Sequence, residues 1–199
     1  MDAIMEIAHR HNIYVVEDCA QSYLCHYKGR LAGTMGDIGC FSLNDFKHIS
    51  AGDGGMCITN DENLFHKAFR FADKNYDRLG KSLRSVESLA PNYRINELTA
   101  AVGLAQLDRL EWICSQRGKY GEALTEGIRG LPGIYPHEVK SGNKSSCWFY
   151  MFRINEAEAG VSREKFCEAL KAEGVSASAG YIPTCVYEYD MFTKQNAYE

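Results

Sequence analysis

The sequence lacks the features that mark nucleic-acid-binding, membrane-spanning and secreted proteins. It contains no long basic run, and its formal net charge of −4 with a pI of about 5.9 argues against binding to nucleic acid or to an anionic membrane. No apolar stretch approaches the roughly 18 residues of a membrane helix. The first residues lack the basic segment and apolar core of a secretory signal, so we expect a cytoplasmic protein.

The cysteines lack the spacing of a metal site or of a redox motif. The eight cysteines form no C-x-x-C pair and match no zinc-binding pattern. Several lie in apolar runs, where a free cysteine behaves as a small hydrophobic residue, so we expect reduced thiols. His9 and His11 form H-x-H on a predicted helix, which directs their side chains apart. The sequence therefore predicts no metal site.

What is present indicates an α/β protein. Of 199 residues, 45% are apolar, which is enough for one large domain or for a large and a partial one. Apolar spacing predicts a helix over 2–10, and apolar runs predict strands over 13–20, 38–44 and 54–60. A helix followed by a continuous apolar strand is typical of α/β architecture with a parallel sheet, whose ligand sites lie beyond the carboxyl ends of the strands.

The middle of the chain combines a helix-start signal with loop composition. Thr59 and Glu62 form a capping-box pattern that predicts a helix over 61–74. Residues 75–93 are polar and aperiodic, which predicts a long surface loop. Loops of that length inside a compact domain are often functional.

The last part of the chain predicts a second, smaller domain. A long amphipathic helix is expected over 96–129, and the glycine and proline residues that follow break its pattern. We therefore expect residues 1–129 to belong to a large domain and 130–199 to a partial small α+β domain. That domain is predicted to contain a strand over 147–154 and a helix over 162–174.

Three polar residues stand at or just beyond the ends of predicted buried strands, namely Asp18, Ser42 and Lys47. A lysine beside a strand end is a candidate Schiff-base nucleophile, because a desolvated amine loses its proton more easily. Enzymes that use pyridoxal phosphate need such a lysine and a carboxylate that keeps the pyridine nitrogen protonated. They also need hydroxyl or backbone N–H donors around the phosphate. The three residues fit these three roles.

Each of these residues also has an ordinary structural interpretation. Lys47 alone is typical of a surface lysine in a turn, Asp18 of a strand-end cap, and Ser42 of a hydrogen-bonded hydroxyl in the core. A nucleotide site of the phosphate-loop type would compete for the same lysine, but the motif G-x-x-x-x-G-K-[ST] does not occur. Composition and spacing alone leave the structural alternatives open.

Three consecutive blocks of the sequence resemble the DegT/StrS-type (DegT/DnrJ) aminotransferases. The blocks are VVEDCAQS, GDIGCFSLNDFKHISAGDGGMCITND and NYRINELTAAVGLAQLDRL, and the similarity runs from the first residue to near Cys185 with the same order and spacing. The resemblance implies a pyridoxal phosphate enzyme with the aspartate aminotransferase fold, fold type I. It also implies transamination of a keto-sugar, usually nucleotide-linked, or of a keto-cyclitol, with glutamate or glutamine as amino donor, in a homodimer.

The resemblance gives a role to four positions. Lys47 matches the lysine that forms the Schiff base with the cofactor. Asp18 matches the acid that faces the pyridine nitrogen, and Gln21 matches the amide beside the ring hydroxyl. Ser42 matches a phosphate-binding serine.

Further candidates lie outside these four positions. The segment NYRINE matches a loop that reaches the phosphate bound by the neighbouring subunit, which makes Asn92 and Arg94 candidate phosphate ligands. Asn44 stands where the family often has a histidine, at a candidate substrate-binding position. Tyr181 is a candidate for lining a substrate pocket.

Two rival functions remain. A related branch of the family uses the cofactor for sugar dehydration, but there a histidine replaces the lysine, so Lys47 disfavours this alternative. Family members are considerably longer, and the phosphate turn and stacking aromatic residue of their first half have no counterpart here. The second rival is therefore a truncated, catalytically inactive chain that acts as a binding or assembly module. We expect such a chain to bind the cofactor weakly on its own.

Overall fold

The computed structural model describes three stretches of the chain, residues 1–80, 88–182 and 184–196. The centre of the loop predicted over 75–93 lies outside these stretches. Among the described residues, none of the helices is both long enough and apolar enough to cross a membrane.

The described chain forms two compact units. Met1–Gly127 and His137–Met151 form the first unit, whereas Ile128–Pro136 joins the chain from Phe152 onward in the second. The domain division predicted between residues 129 and 130 stays a prediction.

The described part of the first unit contains one helix, then five strands, then two further helices. The helices are α1 (Asp2–Arg10), α2 (Glu62–Ala72) and α3 (Glu97–Ile128), whose final residue is assigned to the second unit. The strands are β1 (Val16–Asp18), β2 (His26–Tyr27), β3 (Arg30–Leu31), β4 (Ile38–Ser42) and β5 (Gly55–Ile58). β2 and β3 form a separate antiparallel hairpin.

The sheet of the first unit has the strand order β1-β4-β5. β1 runs parallel to β4, with Asp18 opposite Cys40, which agrees with the predicted α/β architecture. β5 runs antiparallel to β4, so the sheet is partly parallel, with β1 and β4 as its parallel pair. Residues 43–54 form no helix that could carry the chain back along the sheet, and the chain therefore returns in the opposite direction.

The first strand is shorter and more exposed than its apolar run predicted. β1 covers three of the predicted residues 13–20, and only its middle residue, Glu17, is buried. Ile13 and Tyr14 are 60% and 67% exposed. An apolar run indicates a buried strand only where other elements cover both of its faces.

Alternation of side chains gives the sheet two chemically different faces. We call one the outer face; it carries the polar and sulfur side chains of Asp18, Cys40, Ser42 and Cys57. The inner face carries Glu17, Phe41 and Met56, of which Phe41 and Met56 pack against the hydrophobic core. The buried members of that core are Tyr23, Leu43, Ile49, Leu110 and Cys114.

Helix α3 supports the segment that follows β4. It contributes Leu110 and Cys114 to the core, and its long extent agrees with the predicted helix over 96–129. Gly103 permits the close approach, because a Cβ atom at this position would lie 3.2 Å from Leu43 Cδ1. The residues after β4 are therefore held between the sheet and the helix.

The N-terminus of α2 differs from the predicted capping box. Asp61 caps the helix, and its Oδ1 accepts hydrogen bonds from Asn63 N (2.8 Å) and Leu64 N (3.0 Å). Thr59, the predicted cap, instead donates from Oγ1 to Asp37 O at 2.7 Å. The prediction was wrong because an aspartate directly before the helix reaches two of its unpaired N–H groups.

The second unit is built from short elements. These are β6 (Ile134–Tyr135), β7 (Arg153–Ile154), α4 (Glu156–Ala159), α5 (Arg163–Ala172), a 3₁₀ turn (Val186–Glu188) and α6 (Asp190–Thr193), with β6 antiparallel to β7. α5 confirms the predicted helix, and Ser162 Oγ caps it. Only the last two residues of the strand predicted over 147–154 form a strand, and Cys147, where the prediction began, has φ +47°, which an extended strand does not allow.

Candidate functional site

A buried carboxylate fixes the orientation of β1. Glu17 accepts backbone hydrogen bonds from Gly33 (2.9 Å), Met35 (2.6 Å) and Gly36 (2.6 Å), and only 9% of the residue is exposed. Three N–H donors satisfy a buried carboxylate well. Because neighbouring side chains on a strand point to opposite faces, the burial of Glu17 places Asp18 on the outer face.

Asp18 ends β1 and is exposed. Its Oδ1 accepts a hydrogen bond from Ala20 N at 3.0 Å, which uses one of the several acceptor positions of a carboxylate. A cavity of about 390 Å³ opens beside Asp18 and is also lined by Ile4, Val16 and Tyr27. The carboxylate therefore retains capacity for a cationic ligand group.

Another open cavity, of about 450 Å³, lies at the start of β4 and is lined by Asp37, Thr59 and Asp61. It contains none of the predicted site residues. Its carboxylates are engaged in local structure, since Asp37 Oδ2 accepts from Val15 N at 2.7 Å and Asp61 caps α2. We therefore place the candidate site at the other end of the strands.

Gln21 lies in a turn that is hydrogen-bonded to β4 by the residues before and after it. Cys19 N donates to Cys40 O at 2.8 Å, and the Tyr23 hydroxyl donates to Ser42 O at 3.0 Å. Gln21 is half-buried between these two attachments. The turn thus holds Gln21 in the same neighbourhood as Asp18 and the end of β4.

Hydrogen bonds join the first and last residues of the loop that follows Ser42. Leu43 O accepts hydrogen bonds from Ala51 N at 2.9 Å and from Ser50 Oγ at 3.3 Å. Ser42 Oγ accepts from Asn44 N at 3.2 Å, so both predicted residues lie at the start of this loop. We call residues 43–51 the lysine loop, because Lys47 lies at its centre.

Lys47 is half-buried and contacts an aromatic ring from a distant part of the sequence. Its Nζ lies 5.0 Å from the ring centre of Trp148, a distance at which an aromatic ring attracts an ammonium group. The indole Nε1 donates to Phe46 O at 2.5 Å. Trp148 therefore contacts both the backbone of the lysine loop and the amine of Lys47, the predicted nucleophile.

His48 provides a buried anchor next to Lys47. Only 5% of it is exposed, and Nε2 lies 3.3 Å from Ser146 O. A carbonyl only accepts, so the neutral ring carries its proton on Nε2. Nδ1 is buried and has no hydrogen-bond partner within the described residues. Burial lowers the pKa of His48 to about 4, so the ring is neutral at physiological pH.

Asn92 and Arg94 lie beside a buried acid. Asp73, 1% exposed, pairs with Lys74, Arg78 and Arg94, and the distance from Arg94 Nε to Asp73 Oδ1 is 3.0 Å. Asn92 pairs with Asp73 through the backbone and accepts from Arg94 Nε at 3.1 Å. The Arg78 guanidinium holds the pKa of the Asp73 carboxyl below its usual range. Arg94 thus already has a counter-ion.

The segment carrying Arg94 approaches the end of the lysine loop. The side chain of Ile95 lies beside Gly54, where a Cβ atom would be 3.3 Å from Ile95 Cδ1. Gly54 O accepts from Leu43 N at 2.9 Å. The predicted phosphate contacts of Asn92 and Arg94 stay predictions. Tyr181 is 61% exposed and belongs to the second unit, and its predicted substrate contact also stays a prediction.

Sequence reasoning missed Glu17 and Trp148. Glu17 and Asp18 are consecutive acids at the end of a strand, so their side chains must point to opposite faces. This pattern could have predicted that one of the two is buried. Trp148 lies 101 positions from Lys47, far outside the range of any local pattern. Aromatic residues in an apolar run predicted a strand, and no sequence signal paired this one with a lysine.

The assembled donor set fits pyridoxal phosphate in chemical type. The outer face and the lysine loop bring a carboxylate (Asp18), a hydroxyl (Ser42) and a primary amine (Lys47) into one unit of the chain. These are the groups that bind a pyridinium nitrogen, a phosphate and an aldehyde.

Comparison with known proteins identifies relatives over the whole chain. A provisionally named L-glutamine:3-amino-2,3-dideoxy-scyllo-inosose aminotransferase of Micromonospora echinospora is 36% identical over 182 residues, covering 88% of this chain and 42% of the relative. The spore coat polysaccharide biosynthesis protein SpsC of Bacillus subtilis is 32% identical, covering 100% of this chain and 53% of SpsC. The chain thus spans about half the length of the curated relatives it matches.

A solved structure gives the same result for the fold. DesV of S. venezuelae, in complex with a ketimine intermediate, superimposes with a TM-score of 0.83 at 25% identity, covering 98% of this chain and 50% of DesV. The fold is therefore that of part of a fold-type I, pyridoxal-phosphate-dependent aminotransferase. The family model of the DegT/DnrJ/EryC1/StrS aminotransferase family matches residues 1–199. The chain belongs to this family.

Proposed function

We propose that this chain supplies the lysine and part of the ring and phosphate contacts of a pyridoxal phosphate site in a sugar or cyclitol aminotransferase. The observation that carries the proposal is the clustering of Asp18, Gln21 and Ser42 around the end of β4, directly before the lysine loop. In this proposal the cofactor supplies an electron sink for the substrate carbon that loses its proton.

Each residue has a stated task in the proposal. The Asp18 carboxylate would accept a hydrogen bond from the protonated ring nitrogen, and Gln21 would donate one to the ring hydroxyl. Ser42 Oγ binds the phosphate. Lys47 Nζ would hold the cofactor covalently and, when released, would carry the proton between the substrate carbon and the cofactor carbon. Asn44 and Tyr181 contact substrate, and Asn92 and Arg94 bind the phosphate held by a partner in a homodimer.

The proposed acceptor is a keto-sugar, nucleotide-linked or not, or a keto-cyclitol, and the proposed donor is glutamine or glutamate. The names of two relatives support this choice, since one names L-glutamine and an inosose and the other names polysaccharide biosynthesis. We infer a cytoplasmic enzyme on the basis of the family alone.

Two other functions are compatible with the family. A sugar dehydratase is disfavoured by the lysine at position 47. A catalytically inactive binding or assembly chain differs from the proposal in a simple property, because it would not become covalently linked to the cofactor.

Covalent trapping tests the proposal. The full chain is incubated with excess pyridoxal phosphate, treated with borohydride and digested with trypsin. Attachment at Lys47 blocks cleavage there, so a modified peptide spanning 31–67 should replace the peptides 31–47 and 48–67. The variant Lys47→Ala should lose the label, because it lacks the amine.

The matched control is Lys119→Ala, which removes an exposed lysine of α3 and should leave the modified 31–67 peptide unchanged. Label on other lysines with an unmodified Lys47 would contradict the proposed site. A chain that takes up no label at saturating cofactor would support the inactive binding module instead.

A further inference from the structure

Two cysteines face each other on the outer face of the sheet. Cys40 of β4 and Cys57 of β5 are directly opposite in the antiparallel ladder, and their sulfur atoms lie 3.5 Å apart. All eight cysteines of the chain carry free thiols. The family comparison and the proposed function give no role to this pair.

The hydrogen-bond pattern of the ladder decides whether such a pair can be bridged. Leu43 N donates to Gly54 O at 2.9 Å, so these opposing residues form a hydrogen-bonded pair. Hydrogen-bonded and non-hydrogen-bonded pairs alternate along an antiparallel ladder. Counting from Leu43 and Gly54, the pair Cys40 and Cys57 is non-hydrogen-bonded.

A non-hydrogen-bonded pair has the shorter separation, with Cα atoms about 4.5 Å apart and side chains closer together. This value falls within the range of about 4.4–6.8 Å that disulfides span. The two sulfur atoms can therefore bond by side-chain rotation, without displacement of either strand.

Access to the two thiols is unequal. Cys57 is exposed, whereas Cys40 is half-buried. Burial and the neighbouring Cys57 thiol raise the pKa of Cys40 to about 11, so little Cys40 thiolate is present at neutral pH. Cys57 is consequently the thiol that an incoming reagent meets first, and Cys40 is placed to react with it afterwards.

We propose that Cys40 and Cys57 form a reversible cross-strand disulfide by exchange with a low-molecular-weight disulfide of the glutathione class. The Cys57 thiolate attacks one sulfur of the small disulfide, forms a mixed disulfide and releases one small thiol. Cys40, on losing its proton, attacks the Cys57 sulfur and releases the second small thiol. The protein gives up two electrons and two protons, and the small disulfide is reduced to two thiols.

The disulfide would lie beside the candidate cofactor residues. Cys40 is directly opposite Asp18 across the parallel pair, and Ser42 is two residues further along the same face of β4. Oxidation therefore joins the two strands next to the groups assigned to the ring nitrogen and phosphate. The thiol chemistry itself does not depend on the proposed aminotransferase function.

Peptide mapping tests the proposal on the full chain. The folded protein is incubated with oxidised glutathione, quenched with acid and digested with trypsin without reduction. Peptides 31–47 and 48–67 each contain a single cysteine, so a linked pair of these two peptides identifies the bond. We expect this pair to exceed every other cysteine pair, to disappear on reduction, and to lose its preference in concentrated urea.

Single variants separate the two steps. Cys40→Ser should stop the exchange at the mixed disulfide, with glutathione retained on Cys57. Cys57→Ser should remove the linked peptides altogether. Cys185→Ser removes a different exposed thiol and should leave the 31–47 to 48–67 link unchanged. Glutathione on Cys185 with no link between the two peptides in the wild-type chain would overturn the proposal.

Discussion

The inner and outer faces of the β1-β4-β5 sheet use the same kinds of polar group in different ways. On the inner face the Glu17 carboxylate accepts three backbone hydrogen bonds and is buried. On the outer face Asp18 accepts one from Ala20 N and is exposed. The extent of hydrogen bonding, rather than residue type, separates a carboxylate that maintains the fold from one that is available to a ligand.

The largest expected effect comes from removing the carboxylate of each acid in turn. Glu17→Ala removes three hydrogen bonds to a buried carboxylate, and the free energy of unfolding should fall by at least roughly 4.5 kcal/mol, since each bond to a charged group contributes roughly 1.5–3 kcal/mol. Asp18→Ala should change it by less than about 0.5 kcal/mol. Urea unfolding of both variants measures the difference.

Loss of turnover, unlike loss of stability, should be large for a substitution of Asp18 if the proposed function is right. Asp18→Asn should keep the fold and weaken the electron sink, so turnover by the assembled enzyme should fall much more than cofactor binding. Equal losses of stability in the Glu17 and Asp18 variants would remove the distinction between the two faces.

Two neighbouring residues of the lysine loop differ in exposure in the same way as Asp18 and Glu17. Lys47 is half-buried and His48 is buried. The pKa of His48 falls from 6.5 to about 4 on folding. Below pH 6.5 the unfolded chain therefore binds a proton that the folded chain excludes. Stability from this group is present above pH 6.5 and is lost as the pH falls toward 4, by about 3 kcal/mol at most.

Replacement by an apolar ring of similar size tests this assignment. His48→Phe should flatten the decline in the free energy of unfolding between pH 6.5 and 4, although it also removes the contact to Ser146 O. Denaturant titrations at several pH values give the slope for each protein. A slope that is as steep in the variant as in the wild type would show that other groups cause it.

The smallest expected effect concerns Trp148, which contacts Lys47 from outside its loop. Trp148→Phe keeps a ring beside Lys47 Nζ but loses the bond from Nε1 to Phe46 O, at a cost of about 1 kcal/mol. Trp148→Ala also loses the ring. The rate of Lys47 acylation by an amine-reactive reagent should rise in Trp148→Ala and stay near the wild-type rate in Trp148→Phe. Equal rates in all three proteins would show that the ring does not hold the amine.

The sequence predicted the elements that carry strong local signals. Helices α1, α3 and α5 and the strand ending at Ser42 agree with their patterns, and the family motifs identified the fold. The antiparallel direction of β5 depends on the path of the loop before it, which no periodic pattern encodes. The capping role of Asp61 was missed because a second acceptable cap, Thr59, stands two residues earlier.

The sequence proposed residues for the candidate site but could not predict the contacts that surround them. Asp18, Ser42 and Lys47 were predicted from their positions at or just beyond strand ends, and their roles stay predictions. The partners that orient them come from distant segments: the 33–36 loop binds Glu17, and Trp148 contacts Lys47. Contacts of this range arise from tertiary packing, so neither spacing nor hydrophobic pattern contains them.

The close packing of the 33–36 loop on β4 also restricts which residue can occupy position 39. Gly39 lies on the inner face against the backbone of Gly33, so a Cβ atom at position 39 would overlap the Gly33 carbonyl oxygen. Any other residue there would push away the loop whose N–H groups hold Glu17. Among gene copies that diverge after duplication, the loss of this one glycine would therefore mark a decayed copy even where Lys47 and Asp18 are still encoded.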